Sequence, residues 1–362
     1  MAAPVSLLLY ERPAQSTTAF IGDLTPVIHD WRRTTRAMGG FWKGDFSITE
    51  ADMSGNDMIN FFTWNIGRRI VERTYGETIS WEGEIVEMDF TYRGLTYRRT
   101  LDPEKWHNKV KVSYRDSTTK TSTATDWAST AISQAMLGDS EYIDVVGDNY
   151  DSTSAEALRD RHLTKYAWPA PRPLEGFSYG TGMGLGRGNE IRVLCAGYVM
   201  TMNRRFRESD TAADDASTQI ATLVGESEFV TAGDIDANTL QVPITGSEIA
   251  FKLWDGIEDM IEMGDASGNR WVGGVYGGRV FDYHLAETAI THYWKDGRLL
   301  DRAMQPIIAP SLIKPDIIVR ISETPFQTYQ TGGNVSDSAM NAYVDEVEFM
   351  MPDAYTLTLA EL

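Results

Sequence analysis

The residues most suggestive of chemistry are Gly180-Thr181-Gly182-Met183-Gly184-Leu185-Gly186-Arg187-Gly188, where glycine alternates with other residues. A dinucleotide loop needs a strand, a glycine-rich turn and then a helix, so that amides at the helix start meet the pyrophosphate. Here the glycines lead instead into Ile191-Arg192-Val193-Leu194-Cys195, an apolar, strand-like run, and no Gly-Lys-Ser or Gly-Lys-Thr follows. The segment reads as a flexible or close-packed loop.

The other reactive side chains lack the spacing that catalysis or metal binding requires. The histidines are His29, His107, His162, His284 and His292, with no HExxH or comparable pattern; His284 and His292 stand eight apart in a β region and read as structural or surface residues. Cys195 is the single cysteine, which excludes an internal disulfide, and its apolar surroundings predict a buried, inert thiol. Asp148-Asn149-Tyr150-Asp151 and Asp234-Ile235-Asp236-Ala237-Asn238 are oxygen-rich but lack the glycine and distal glutamate of an EF-hand, so turn chemistry is expected. Carboxylate pairs occur at Glu82/Glu84, Asp214/Asp215 and Asp234/Asp236. A glycosidase would have to hold two such groups at a fixed separation across a cleft. No residue stands out as catalytic, metal-ligating or cofactor-binding, and no cofactor is expected.

Composition narrows the class. With 362 residues, 42% of them hydrophobic, the chain can bury a sizeable core without disulfide or metal. The start, MAAPVSLLLYERPAQ, lacks the basic n-region and long apolar core of a signal peptide, and no run approaches the ~18 apolar residues of a membrane helix. A formal charge of −19 repels a phosphate backbone, which argues against sequence-reading DNA binding. The same excess of acid serves solubility, or lines a conduit through which DNA slides without sticking.

Patterning predicts mostly strands at both ends and mixed structure between. Apolar alternation marks strands at 40–48, 68–74, 78–90, 91–101 and 109–114, with a short helix over 51–64 capped by Asp52 or Ser54. Ser117–Thr125 reads as a connector, 126–136 and 152–165 as helices, and Trp168-Pro169-Ala170-Pro171-Arg172-Pro173 as a stiff extended segment. A strand at 191–202 and helices at 214–224 and 248–263 follow. Strands at 270–276, 279–285, 290–294, 317–322 and 343–351, with a hairpin signal at Asp296-Gly297, return the chain to β. The expectation is a β-dominated α+β fold: an N-terminal β domain (1–115), a mixed insert with helices and Gly/Pro-rich linkers (116–265) and a C-terminal β domain (266–362).

Three ordered stretches carry a resemblance. The first is Ile66-Gly67-Arg68-Arg69-Ile70-Val71-Glu72 with Ser80-Trp81-Glu82-Gly83-Glu84-Ile85, closing at Asn108–Tyr114. The second is Cys195-Ala196-Gly197-Tyr198, leading through Arg204-Arg205 to Phe229-Val230. The third is Leu253-Trp254-Asp255 followed by Gly264–Arg279, which contains Trp271-Val272-Gly273-Gly274-Val275-Tyr276-Gly277. Together, over roughly 40–285, they resemble a family of tailed-phage proteins similar to baseplate-hub and tail-tip subunits.

The resemblance implies two tube-like β-sandwich or barrel domains flanking the insert, in a structural, non-enzymatic virion subunit assembled in the host cytoplasm. It implies a ring of three copies, with six as the alternative, contacting the tail tube, distal tail and tip or fibre proteins. DNA would cross the lumen unbound, and this chain would not insert in a membrane. A hexameric distal tail protein and a carbohydrate-binding or wall-degrading tail protein are the alternatives. Trp42, Gly67, Trp81, Gly83, Trp254, Trp271, Gly273, Gly274 and Gly277 are the expected structural or interface residues. Trp81 and Trp271 should anchor the β domains. The basic run Arg204-Arg205-Phe206-Arg207 is expected at protein contacts or an outer face.

Overall fold

The computed structural model describes every residue except 1–3, 16–18, 93–94, 174–187, 247–249, 296–297, 322–326, 330–334, 338–339, 352–353 and 361–362. The glycine alternation up to Arg187 and the Asp296-Gly297 turn therefore lie outside the described residues. Strand accounts for 48% of the chain and helix for 19%, so the fold is β-dominated.

One large curled sheet organises the molecule. Its main path runs through Phe20–Asp23, Val5–Tyr10, Arg69–Thr74, Thr78–Tyr92, Glu190–Gly197, Met38–Thr49, His29–Arg36, Met340–Met350 and Ala354–Ala360, each antiparallel to the next. A branch leaves Met38–Thr49, where Trp271–Tyr276 pairs in parallel with Met38 to Gly40 and then with Val280–Leu285. A second branch leaves Met340–Met350 through Ile318–Ile321 to Ile290–Lys295. The ladder thus crosses both sequence boundaries, at 115/116 and 265/266. Glu190–Gly197, from the middle segment, lies between two N-terminal strands.

Burial explains the central strands. In Thr78–Tyr92 the run Ser80 to Ile85 is buried on both faces, as in a strand covered above and below. From Met88 onward the pattern alternates, with Met88 and Phe90 in the core and Glu87 and Asp89 on the opposite face. The helix Gly55–Trp64 lays Met58, Phe61 and Phe62 on that core, and Ser54 caps it by accepting from the Asp57 amide at 3.3 Å. A second core gathers the helices Ala216–Gly225 and Leu253–Glu262 under Trp271–Tyr276.

The middle segment departs from its sequence pattern in several places. The helices expected from 214 and 248 begin at Ala216 and Leu253, and Ser122–Ala124 of the expected connector is a strand. The helix expected from 126 shortens to Ala131–Leu137, because Ala128–Ser129 pairs with Lys109 and Val110. Glu141–Tyr150, unassigned by pattern, is a strand parallel to Lys109–Asp116 and is followed by the helix Ser152–Tyr166. The strand expected to reach Met202 stops at Gly197, and Val199–Met202 makes one helical turn. Arg172–Pro173 pairs with Tyr97 and Arg98, which accords with the extended reading of the proline-rich segment.

Candidate functional site

The expected glycines and tryptophans occupy close contacts within the chain. Trp81 is fully buried, edge-on to Trp31 with ring centroids 5.4 Å apart. At Gly83 a Cβ would stand 2.3 Å from the Ala196 carbonyl oxygen, so only glycine lets the two strands approach. At Gly274 it would stand 2.2 Å from the Gly40 nitrogen, where the parallel branch joins the main sheet. Gly273 faces Ile261 and Phe281, and Gly277 faces Ile79.

Gly67 adopts φ +76° at the entry to the hairpin Arg69–Thr74/Thr78–Tyr92, and its amide donates to Ile85 O at 2.8 Å. Half-buried Trp42 and buried Trp254 both border Gly39, and the Arg36 guanidinium lies 4.5 Å from the Trp42 ring centre. Trp271 packs 4.7 Å from Tyr283 and donates Nε1–H to Asp265 at 3.3 Å.

Three carboxylates are buried in the sheet, each matched by arginine. Glu72 accepts from Trp31 Nε1 at 2.5 Å, from Ser80 Oγ at 2.5 Å and from Arg33 Nη2 at 3.3 Å. Glu82 pairs with Arg69 at 2.8 Å and accepts the Gly278 amide at 2.8 Å. Glu84 pairs with Arg204; burial raises its pKa, and the Arg204 charge opposes the rise. Glu82 and Glu84 are 1% and 2% exposed, so the pair is engaged in internal ion pairs rather than presented to a cleft. The basic run is likewise turned inward. Besides Arg204, Arg205 donates to Glu226 O at 2.9 Å, Arg207 pairs with Glu226, and the Phe206 amide donates to Glu141 at 2.7 Å. These contacts are intrachain, and the outer-face expectation for Arg204 is corrected by its 4% exposure.

The solvent face of the central strands forms a groove of about 500 Å³, bordered by Asp30, Arg32, Asp45, Ser47, Glu87, Asp89, Glu190 and Arg192. Arg32 pairs with Asp45 at 3.2 Å, Arg192 with Glu190 at 3.0 Å, and Arg98 grips Asp89 with two bonds of 2.7 Å. Burial raises the pKa of Glu87, with Arg98 acting against it. Carboxylates outnumber guanidiniums along this face, giving a hydrated surface that repels phosphate.

The histidines do not converge as a set. His29 bonds Asp52 at 2.6 Å, His284 bonds Asp316 at 3.3 Å, and His292 Nδ1 lies 2.9 Å from Thr291 Oγ1. Buried His107 stacks on Tyr142 at 4.3 Å and lies 3.4 Å from His162 Nδ1, while His162 Nε2 reaches Asp144 at 3.1 Å. Among the described residues no group of three or more His, Cys, Asp or Glu side chains is arranged to hold a metal. Cys195 is buried, and burial pushes its thiol well above the ordinary range.

Pattern reading missed the outer strands of the main path, Phe20–Asp23 and Ala354–Ala360. It also missed a groove beside Trp64 and Trp168. No helix of the described residues is long and apolar enough to cross a membrane. No protein-family model matches the chain, and no match is found among curated proteins.

Proposed function

We propose that this chain is a structural subunit of a phage-like tail, a ring-forming protein of the tail tip or baseplate hub. The observation that carries the reading is the pair of outer strands that close the main sheet path. Phe20–Asp23 pairs only with Val5–Tyr10, and Ala354–Ala360 only with Met340–Met350, among the described ladders. Phe20 and Ile21 are exposed at the first edge, and Leu359 at the second. One-sided strands invite pairing with another chain. Two different edges joined head to tail make a heterologous contact, which closes into a ring when the rotation permits.

The acid-rich sheet face supports a lumen that DNA crosses without adhering, and the ordered motifs around Trp81, Gly197 and Trp271 supply the resemblance to hub subunits. In this reading two β units, one built on Thr78–Tyr92 and one on Met340–Met350, act as the tube-like domains. Three copies form the ring, six being the alternative. Tube, distal-tail and tip or fibre proteins are its neighbours in the virion, and the chain catalyses no reaction.

Native mass spectrometry of the purified full-length chain tests this. A closed trimer or hexamer is expected, disrupted by a proline placed at Thr356 or Thr358. A monomer that persists at about 100 μM, well above the micromolar range of ordinary specific association, would overturn it. So would turnover of peptidoglycan or polysaccharide abolished by a single carboxylate substitution.

A further inference from the structure

Five segments converge on a second groove, of about 340 Å³. Its apolar walls include Trp64, at the end of the helix Gly55–Trp64, Trp168 and Pro169, after the helix Ser152–Tyr166, and Leu137. Trp64 is 60% exposed and Trp168 42%, in a chain whose largest buried side chains include four other tryptophans. Indoles left open to water against one groove are unused apolar surface, and tryptophan with arginine is the composition of interface hot spots.

The charge beside these walls is one-sided. Arg99 donates Nε to Pro169 O at 2.9 Å and Nη1 to Phe62 O at 3.1 Å, and also bonds Thr63 O. Arg12 donates to Ile66 O at 3.0 Å and Trp64 O at 2.5 Å. These carbonyls orient both guanidiniums but leave their charge uncompensated. Among the described residues no carboxylate pairs with Arg99, and the carboxylate nearest Arg12, that of Glu11 at 3.7 Å, is shared with Arg68 at 2.9 Å. Three guanidiniums against one carboxylate make a positive island on a chain of charge −19. Burial, with Arg12 close by, pulls Arg99 down to about 10, as expected for a cation short of a counter-charge.

We propose that this groove is a docking site for a segment of a partner protein that places an apolar side chain between Trp64 and Trp168 and a neighbouring carboxylate on Arg99. A carboxylate there supplies the missing counter-charge through Nη2, the guanidinium nitrogen that these carbonyls leave free. The apolar side chain covers the two indoles. The site is independent of the sheet edges, so it stands or falls separately from the ring.

The test is calorimetric titration of the full-length chain with the blocked tetrapeptide acetyl-Glu-Leu-Phe-Glu-amide and its neutral counterpart acetyl-Gln-Leu-Phe-Gln-amide. The acidic peptide is expected to bind at least about tenfold more tightly, a difference of about 1.4 kcal/mol. Its affinity should fall as salt rises from about 0.05 to 0.5 M, and drop at least about tenfold in Trp168→Ala and Trp64→Ala. Both tryptophans are exposed, so these variants fold even if Arg99→Gln does not. Equal affinity for the two peptides, or no binding at about 1 mM, would overturn the proposal. So would 3-phenylpropanoate binding as tightly as the peptide, which would mark a small-molecule pocket. Chitotriose binding where the peptide does not would mark a glycan site and also overturn it.

Discussion

Trp31 Nε1 donates to Glu72 across 2.5 Å, although three strands lie between their own strands in the ladder. The bond spans the inside of the curl, and Arg33, 1% exposed, meets the same carboxylate. Removing one partner from such a pair leaves a buried charge without its counter-charge. Glu72→Ala should therefore cost about 3–5 kcal/mol, read as a lower urea midpoint. A loss below about 1 kcal/mol would mean that Glu72 does not hold the curl together.

Trp81 lies against Trp31 and Phe41 with no exposed surface. Trp81→Ala should cost about 3–5 kcal/mol and abolish any ring seen by native mass spectrometry, whereas Trp81→Phe should retain part of the stability. Unchanged thermal unfolding in the alanine variant would contradict the anchoring role.

The glycine seam predicts a contrast between two identical substitutions. Gly274→Ala drives a methyl into the Gly39–Gly40 backbone, which cannot move aside as a side chain tip would, and should destabilise by more than about 1 kcal/mol. Gly225→Ala, at the end of a helix with nothing within 4 Å of its Cβ position, should be neutral or stabilising by up to about 1 kcal/mol. Chemical denaturation of both variants checks the order; equal effects would remove the argument from close approach.

Two histidines pull the pH profile in opposite directions. Burial lowers the pKa of His107 below 6.5, so below that pH the unfolded chain takes up a proton that the folded chain refuses. Its contribution is intact above 6.5 and declines as pH falls towards the folded value. His284 is raised above 6.5 by its hydrogen bond with Asp316, so its contribution is present below 6.5 and is lost as pH rises through the raised value. Relative to His284→Gln, the parent's melting temperature should therefore fall as pH rises from about 6.5 through the raised value, and His107→Phe should flatten the parent's fall between about pH 6.5 and 5. Parallel profiles for all three proteins would refute the assignment.

The acid-rich sheet face, with the basic run consumed internally, predicts no micromolar affinity for duplex DNA even at about 20 mM salt, where phosphate contacts are strongest. Fluorescence anisotropy with a labelled duplex measures this directly. Tight binding would show that the acid excess serves another purpose.

How much of this was legible in the residues depends on what each signal encodes. The hairpin Arg69–Thr74/Thr78–Tyr92 was readable because Ile70, Val71, Trp81 and Ile85 are dense in β-formers around Gly76. The helix Gly55–Trp64 was readable from Ser54 and the spacing of Met58, Phe61 and Phe62. Glu141–Tyr150 was not, because its alternation is interrupted by Asp144 and Gly147, and its identity comes from pairing with Lys109–Asp116. Nothing local in the sequence marks Glu72, Glu82 and Glu84 as buried. Their burial depends on Arg33, Arg69 and Arg204, which are distant in sequence from at least two of them. Gly83 and Gly274 were singled out, but what each admits, Ala196 and Gly40, is a fact of tertiary structure alone. The groove at Trp64 and Trp168 required five separate segments to meet, and no local pattern records that.

The parallel seam between Met38–Gly40 and Gly273–Val275 also sets a timetable for biosynthesis. At about 5–20 residues per second, the strand Met38–Thr49 leaves the ribosome roughly ten to fifty seconds before its partner glycines exist. His29–Arg36 waits longer still for residues 346–350. Throughout that interval the nascent N-terminal strands expose ladder edges that only late sequence can satisfy, and contacts this distant along the chain form slowly. A chain interrupted near residue 260 therefore carries the early strands without their covers, a species poised to associate through its edges, while the intact chain completes its central sheet only after synthesis has passed the second glycine pair.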